Sequence, residues 1–165
     1  MPDRDRIVLL HSALGDSRLW ARQVELLRGR GYDVVAPDLP GFGDAPEPHE
    51  PFSFVELVAD LLPAVLVGNS FGGGIALRVA LELQTGRAPP EVTWPKQRPL
   101  SELAMPALVV VGDRDHSDFL AIGERIAREA PNARLEVVSG AGHLVAIEAP
   151  DAFERLLLEF LELPD

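Results

Sequence analysis

The chain has 165 residues, a formal charge of −11, 47% hydrophobic residues and no cysteine. That is enough apolar content for one domain with a solid core, and it excludes a disulfide framework or a thiolate metal site. The acidic balance repels phosphate backbones, so nucleic acid is not an expected partner and the acidity reads as a well-solvated surface. No apolar run approaches ~18 residues, and the start Met1-Pro2-Asp3-Arg4-Asp5-Arg6 is charged. Neither a signal peptide nor a membrane span is expected, which gives a cytoplasmic reading.

A first strand is predicted near 6–10, followed by Leu9-Leu10-His11-Ser12-Ala13-Leu14-Gly15. A helix near 17–29 carries Trp20, Val24 and Leu27 on one face, and a second strand lies near 33–37. The next helix starts at Ser53, where Ser53 and Glu56 have capping-box spacing, and ends before Pro63. A strand near 64–68 runs into Gly68-Asn69-Ser70-Phe71-Gly72 and a helix over about 71–84. Past the proline-rich stretch that follows, Ala107-Leu108-Val109-Val110-Val111-Gly112 reads as a parallel strand buried on both faces. A helix over about 117–130 is predicted to turn Phe119, Ile122 and Ile126 inward, with Asp118 as its cap. A strand near 134–138 follows, and a last helix near 150–162 has Phe153, Leu156, Leu157, Phe160 and Leu161 at helical spacing. Alternating strands and helices predict an α/β fold, a mostly parallel sheet with helices on both faces.

Gly68-Asn69-Ser70-Phe71-Gly72 has the G-x-S-x-G pattern of a nucleophile elbow, in the strand–turn–helix setting that such an elbow needs. A sharp turn there would strain Ser70 and project its hydroxyl above the sheet edge. The new helix N-terminus would offer N–H groups to a developing oxyanion. A serine hydroxyl is a poor nucleophile at neutral pH and needs an imidazole to take its proton. His143, in the loop Ser139-Gly140-Ala141-Gly142-His143, can do that and return the proton to the leaving group. A carboxylate must fix its tautomer. Asp115 is chosen for that role, with Asp113 as the runner-up. All three groups fall at the carboxyl ends of strands, in the chain order Ser, Asp, His of one hydrolase class. His11 is read as ordering its own loop, and no role is assigned to His49 or His116.

On these motifs the chain resembles the α/β-hydrolase superfamily, in the branch of small esterases, enol-lactonases and carbon–carbon bond hydrolases. Residues 9–15 resemble that family's His-Gly oxyanion loop, with Ser12 in place of the usual glycine. The resemblance implies that the N–H groups of Ala13 and Phe71 form the oxyanion hole. Asp38-Leu39-Pro40-Gly41-Phe42-Gly43 matches an Asp-x-x-Gly-x-Gly loop that is a structural feature beside the site. Val111-Gly112-Asp113-Arg114-Asp115 matches the acid strand, which places the catalytic Asp at Asp115, and Gly140-Ala141-Gly142-His143 matches the histidine loop. The implied fold is a three-layer α/β-hydrolase sandwich, and the implied chemistry needs neither metal nor cofactor.

Such a hydrolase usually has another central strand and a helical cap after the elbow helix. Residues 85–106 instead hold prolines at 89, 90, 95, 99 and 106, and only Val92-Thr93-Trp94 could form a strand. The chain is therefore read as a single domain over 1–165 with a shortened connection in place of a cap, whether by nature, by damage or by design. A mouth without a lid would be open and lined by Leu14, Phe42, Phe71 and Leu144. It suits small carboxylic esters or lactones as substrates. Apolar surface left bare there invites a homodimer. Two other readings remain open: a carbon–carbon hydrolase of ring-cleavage products, and a catalytically silent truncated scaffold or interaction protein.

Overall fold

The computed structural model describes residues 6–48, 52–83 and 99–162. The chain divides into two compact units, Met1–Lys96 and Gln97–Asp165. Among the described residues no helix is long and apolar enough to cross a membrane.

The first unit is built around β1 (Arg6–Leu10), which lies between β2 (Asp33–Val35) and β3 (Val65–Gly68) in a parallel sheet of order β2-β1-β3. Ile7, Val8, Leu9 and Leu10 are all fully buried, which explains a continuous apolar run where an exposed strand would alternate. The register sets Ile7 opposite Val34 and Val65, and Leu10 opposite Gly68, so the ends of β1 and β3 lie side by side. Residues Ser17–Trp20 form a 3-10 turn that leads into α1 (Ala21–Arg28). Trp20 and Leu27 are buried and Val24 is half-buried, as their spacing predicts. Helix α2 (Phe54–Ala59) is capped by Ser53, whose hydroxyl accepts from the Glu56 N–H at 3.4 Å. Helix α3 (Phe71–Leu83) packs on β3 and β1. The core joins Val8 and Leu10 of β1, Leu39, Val55 and Val58 of α2, and Ile75 and Val79 of α3.

In the second unit β4 (Ala107–Gly112) pairs in parallel with β5 (Ala133–Val138), from Ala107 opposite Ala133 to Gly112 opposite Val138. Helix α4 (Ser117–Glu129) packs on both strands. Beyond β5 come α5 (Val145–Glu148) and α6 (Pro150–Leu161). Leu156 joins Val138, Ala141 and Val145 in a buried cluster, against which Leu108, Val110 and Phe153 pack.

Several expectations are corrected here. Strand β4 is buried only at Val111 and Gly112, its first four residues being half-buried. Phe119 and Ile122 do not point inward; they are 39% and 53% exposed. The face of α4 against the sheet is made instead by Gly123, whose missing Cβ would crowd Leu135, Val111 and Val109. The helix comes close to its strands there because it carries no side chain at that point. Asp118 is not the cap. His116 holds that position, and its Nδ1 accepts from the Asp118 N–H at 3.3 Å. The strand considered at 92–94 lies outside the described residues, as do His49 and most of the connection before 99. Among the described residues, β3 and β4 each have one hydrogen-bonded neighbour.

Candidate active site

Strand β3 ends at Gly68 and α3 begins at Phe71, so Asn69 and Ser70 alone make the turn. The Asn69 N–H donates to the Leu10 carbonyl at 3.1 Å, which anchors the turn to the end of β1. Ser70 has φ +52°, the left-handed region, and its side chain is exposed. For a residue with a Cβ this conformation costs roughly 1–2 kcal/mol, so the surroundings hold it there. The Gly72 N–H donates to Asn69 O and the Gly74 N–H to Ser70 O, each at 3.0 Å, so the helix closes directly behind the serine. Two glycines make the turn sterically feasible. A Cβ on Gly68 would strike the Gly72 carbonyl, and one on Gly72 would strike the carbonyls of Leu10 and His11. The G-x-S-x-G spacing thus reflects two backbone contacts, one on each side of the serine.

The loop after β1 lies beside this turn. The hydroxyl of buried Ser12 accepts from the Leu14 N–H at 3.2 Å, and its carbonyl accepts from the Gly15 N–H at 3.3 Å. A hydroxyl therefore organises the loop at the position where a glycine was expected. Ala13 is exposed, and Phe71 occupies the first turn of α3. His11 is fully buried, and its Nε2 accepts from the Leu39 N–H at 2.9 Å. That acceptor role leaves the ring proton on Nδ1, which donates to Ser12 O at 2.8 Å. His11 is thus a bridge between two loops, as its sequence context suggests. Asp38 continues the bridge by accepting from the N–H groups of Ser17 at 2.8 Å and Asp44 at 2.9 Å. A further bond with the Ser17 side chain, and after it these two backbone bonds, hold its carboxyl below the usual aspartate range. Phe42 sits edge-on to His11 with centroids 5.3 Å apart, and lies 6.3 Å from the Phe71 ring. Leu14 is 75% exposed.

In the second unit the acid loop and the histidine loop are laced together. Asp115 Oδ2 lies 2.9 Å from His143 Nδ1, and Asp115 Oδ1 accepts from the His116 N–H at 2.7 Å. The Arg114 N–H donates to Ala141 O at 2.9 Å. Gly112 permits this approach, since a Cβ there would strike the Ala141 and Gly142 carbonyls. Asp113 does not touch His143. Its carboxylate accepts from the Gly140 N–H at 2.7 Å and the Ser139 hydroxyl at 2.9 Å. Those two bonds, the backbone one first, hold its carboxyl below the ordinary aspartate value. A depressed folded-state value means that the stabilisation is full above the ordinary aspartate range and is lost as the pH falls through the folded-state value. Asp113→Asn should therefore lower the thermal midpoint by a few degrees at neutral pH, with a deficit that closes in acid. Melting curves at several pH values would check this, and a deficit independent of pH would refute the carboxylate's role.

The structure thus brings Asp115 to His143 in one unit, and Ser70, Phe71 and Phe42 to the β1 loop in the other. Leu144 follows His143 in the chain and is half-buried. Two neighbours of His143 were not read from the sequence. The Phe119 ring lies 4.2 Å from the imidazole, and Glu148 binds the backbone on either side of it. Among the described residues no cluster of His, Asp and Glu could hold a metal ion.

The profile described as "Alpha/beta hydrolase family" matches residues 7–90. Rat "Putative protein-lysine deacylase ABHD14B" is 32% identical across 96% of this chain and 84% of its own length. The chain belongs to the alpha/beta hydrolase family. Solved structures of hydrolases agree in fold. A structure described as a predicted CIB-like hydrolase from Thermoplasma acidophilum is 26% identical with a TM-score of 0.79, covering 96% of this chain and 86% of that one. Carboxylesterase CesB from Bacillus subtilis is 18% identical with a TM-score of 0.77, covering 97% and 84%, and at that identity it shows the alpha/beta hydrolase fold alone.

Proposed function

We propose that this alpha/beta hydrolase is a serine hydrolase that cleaves small carboxylic esters or lactones through an acyl-enzyme. The observation that carries the reading is the Asp115–His143 contact, 2.9 Å at Nδ1. A carboxylate on Nδ1 keeps the proton on that nitrogen and leaves Nε2 as the basic one, the tautomer that a general base requires. Ser70 is the nucleophile. Its Oγ attacks the carbonyl carbon as His143 Nε2 takes its proton, and the N–H groups of Ala13 and Phe71 receive the oxyanion. Collapse of that intermediate expels the alcohol, which takes the proton from His143. Water then gives a proton to His143 and attacks the acyl-serine. The acid leaves, and the proton returns to Ser70. In this reading Leu14, Phe42, Phe71 and Leu144 face the acyl group.

A second reading is favoured by the kinship with the rat protein named for lysine deacylation. The same groups would cleave the amide of an acyl-lysine, with His143 protonating the departing amine. Rates on p-nitrophenyl acetate, γ-butyrolactone and an acetyl-lysine peptide separate the two. The first reading expects turnover of the ester or lactone to exceed that of the peptide. Turnover of the peptide alone would establish the second. No turnover of any of them, with no labelling by a fluorophosphonate, would mean a silent scaffold.

A further inference from the structure

Helix α5 starts directly after the histidine loop, and its N-cap residue, Leu144, has no side chain that could accept a hydrogen bond. The first N–H groups of a helix need acceptors. Here one carboxylate serves the N–H of the N-cap residue and a second N–H two residues before it. Glu148, at the far end of that single turn, returns to its start. Its Oε1 accepts from the Leu144 N–H at 2.9 Å, and its Oε2 accepts from the Gly142 N–H at 2.8 Å. Those two N–H groups belong to the residues on either side of His143. We propose that Glu148 is a positioning residue for His143, a bracket that fixes the backbone from which the imidazole projects.

Three observations support the bracket. Both bonds are charge-assisted, which makes them about twice as strong as neutral ones. A Cβ on Gly142 would stand 2.9 Å from Oε2 and 3.2 Å from Oε1, so any other residue there would push the carboxylate away. The ring itself is contacted by different groups: Asp115 at Nδ1, and the Phe119 ring, tilted 46° to it with centroids 4.2 Å apart. Ring and backbone are thus restrained separately, and Glu148 is the side chain that restrains the backbone on both sides. Glu148 is exposed, so removing it takes no buried volume out of the core.

The inference rests on His143 being the general base, so the experiment includes His143→Ala. Glu148→Ala and Glu148→Gln are compared with wild type for kcat and KM on p-nitrophenyl acetate, for the rate of Ser70 labelling by a fluorophosphonate, and for thermal midpoint. A misplacement of ~1 Å in a catalytic group can cost on the order of 10²-fold in rate. Glu148→Ala is therefore expected to lose ~10- to 100-fold in kcat with KM little changed, and to label more slowly in parallel. Glu148→Gln keeps the shape and one acceptor, so it should fall between the two; it also carries the test should the alanine variant fail to fold. If His143→Ala is inactive while the folded Glu148 variants turn over at the wild-type rate, the bracket only stabilises and the proposal is overturned. If His143→Ala is itself fully active, the base assignment fails instead.

Discussion

Replacing Ser70 by alanine should lower turnover of a small ester by on the order of 10⁴–10⁶-fold, while the protein stays folded. The size of the effect follows from the proposed role: without its nucleophile a serine hydrolase forms no acyl-enzyme, and the residual rate comes from water and the oxyanion donors alone. The fold should survive because Ser70 is exposed and its side chain contributes little to packing. The left-handed backbone at φ +52° is imposed by its neighbours, and alanine would be held in it equally. Intact mass after treatment with a fluorophosphonate gives a second readout. Wild type should gain one adduct on the peptide that contains Ser70, and Ser70→Ala should gain none. An adduct at Ser12, Ser101 or Ser139 would move the nucleophile and overturn the assignment.

Replacing Asp115 by asparagine should cost about 10⁴-fold in kcat, because the amide selects the wrong histidine tautomer. The local hydrogen bonds make this specific. The His116 N–H points at Asp115 Oδ1 from 2.7 Å and demands an acceptor there. An asparagine would therefore turn its carbonyl oxygen to His116 and its NH₂ group to His143. Nδ1 would then become an acceptor, the ring proton would move to Nε2, and the imidazole could no longer take a proton from Ser70. Asp113→Asn meets no such constraint at His143, since its bonds go to Ser139 and Gly140. Parallel kinetics on the two variants decide between them. A large loss of kcat in Asp113→Asn with a small one in Asp115→Asn would transfer the role.

The elbow and the acid–histidine pair were readable from the sequence because each is fixed by short-range sterics. Glycines at 68 and 72 mark carbonyls that come too close for a Cβ, and Gly112 marks the same at the end of β4. Strands β1 and β4 were readable from unbroken apolar runs, of which β1 is the clearest, whereas β5 carries Arg134 and Glu136 within it. The orientation of α4 was not. Counting apolar residues picked out Phe119, Ile122 and Ile126; Ile126 is half-buried but the other two are exposed, and the buried residue of the packed face is Gly123, which no hydrophobic pattern detects. The one-turn helix α5 is too short to show a period. Without it, nothing in the sequence indicates that Glu148 folds back over the histidine loop. The tilted contact of Phe119 with His143 depends on the same unread rotation of α4.

The anchoring of the elbow to β1 also bears on motion. Asn69 is bonded to Leu10 O, Gly72 rests against the Leu10 and His11 carbonyls, and the loop that carries Ala13 leaves the chain at His11. Ser70 and Ala13, the proposed nucleophile and oxyanion donor, thus take their positions from one strand end. A thermal displacement of that end carries both with it, so their separation varies less than the excursion of either. The second unit repeats the arrangement, since Arg114 is bonded to Ala141 and Asp115 to His143. In each unit the paired groups are thus tied to one another through the backbone or by a direct bond. The internal distances of each pair therefore depend on those few anchors rather than on the full length of the loops that carry them.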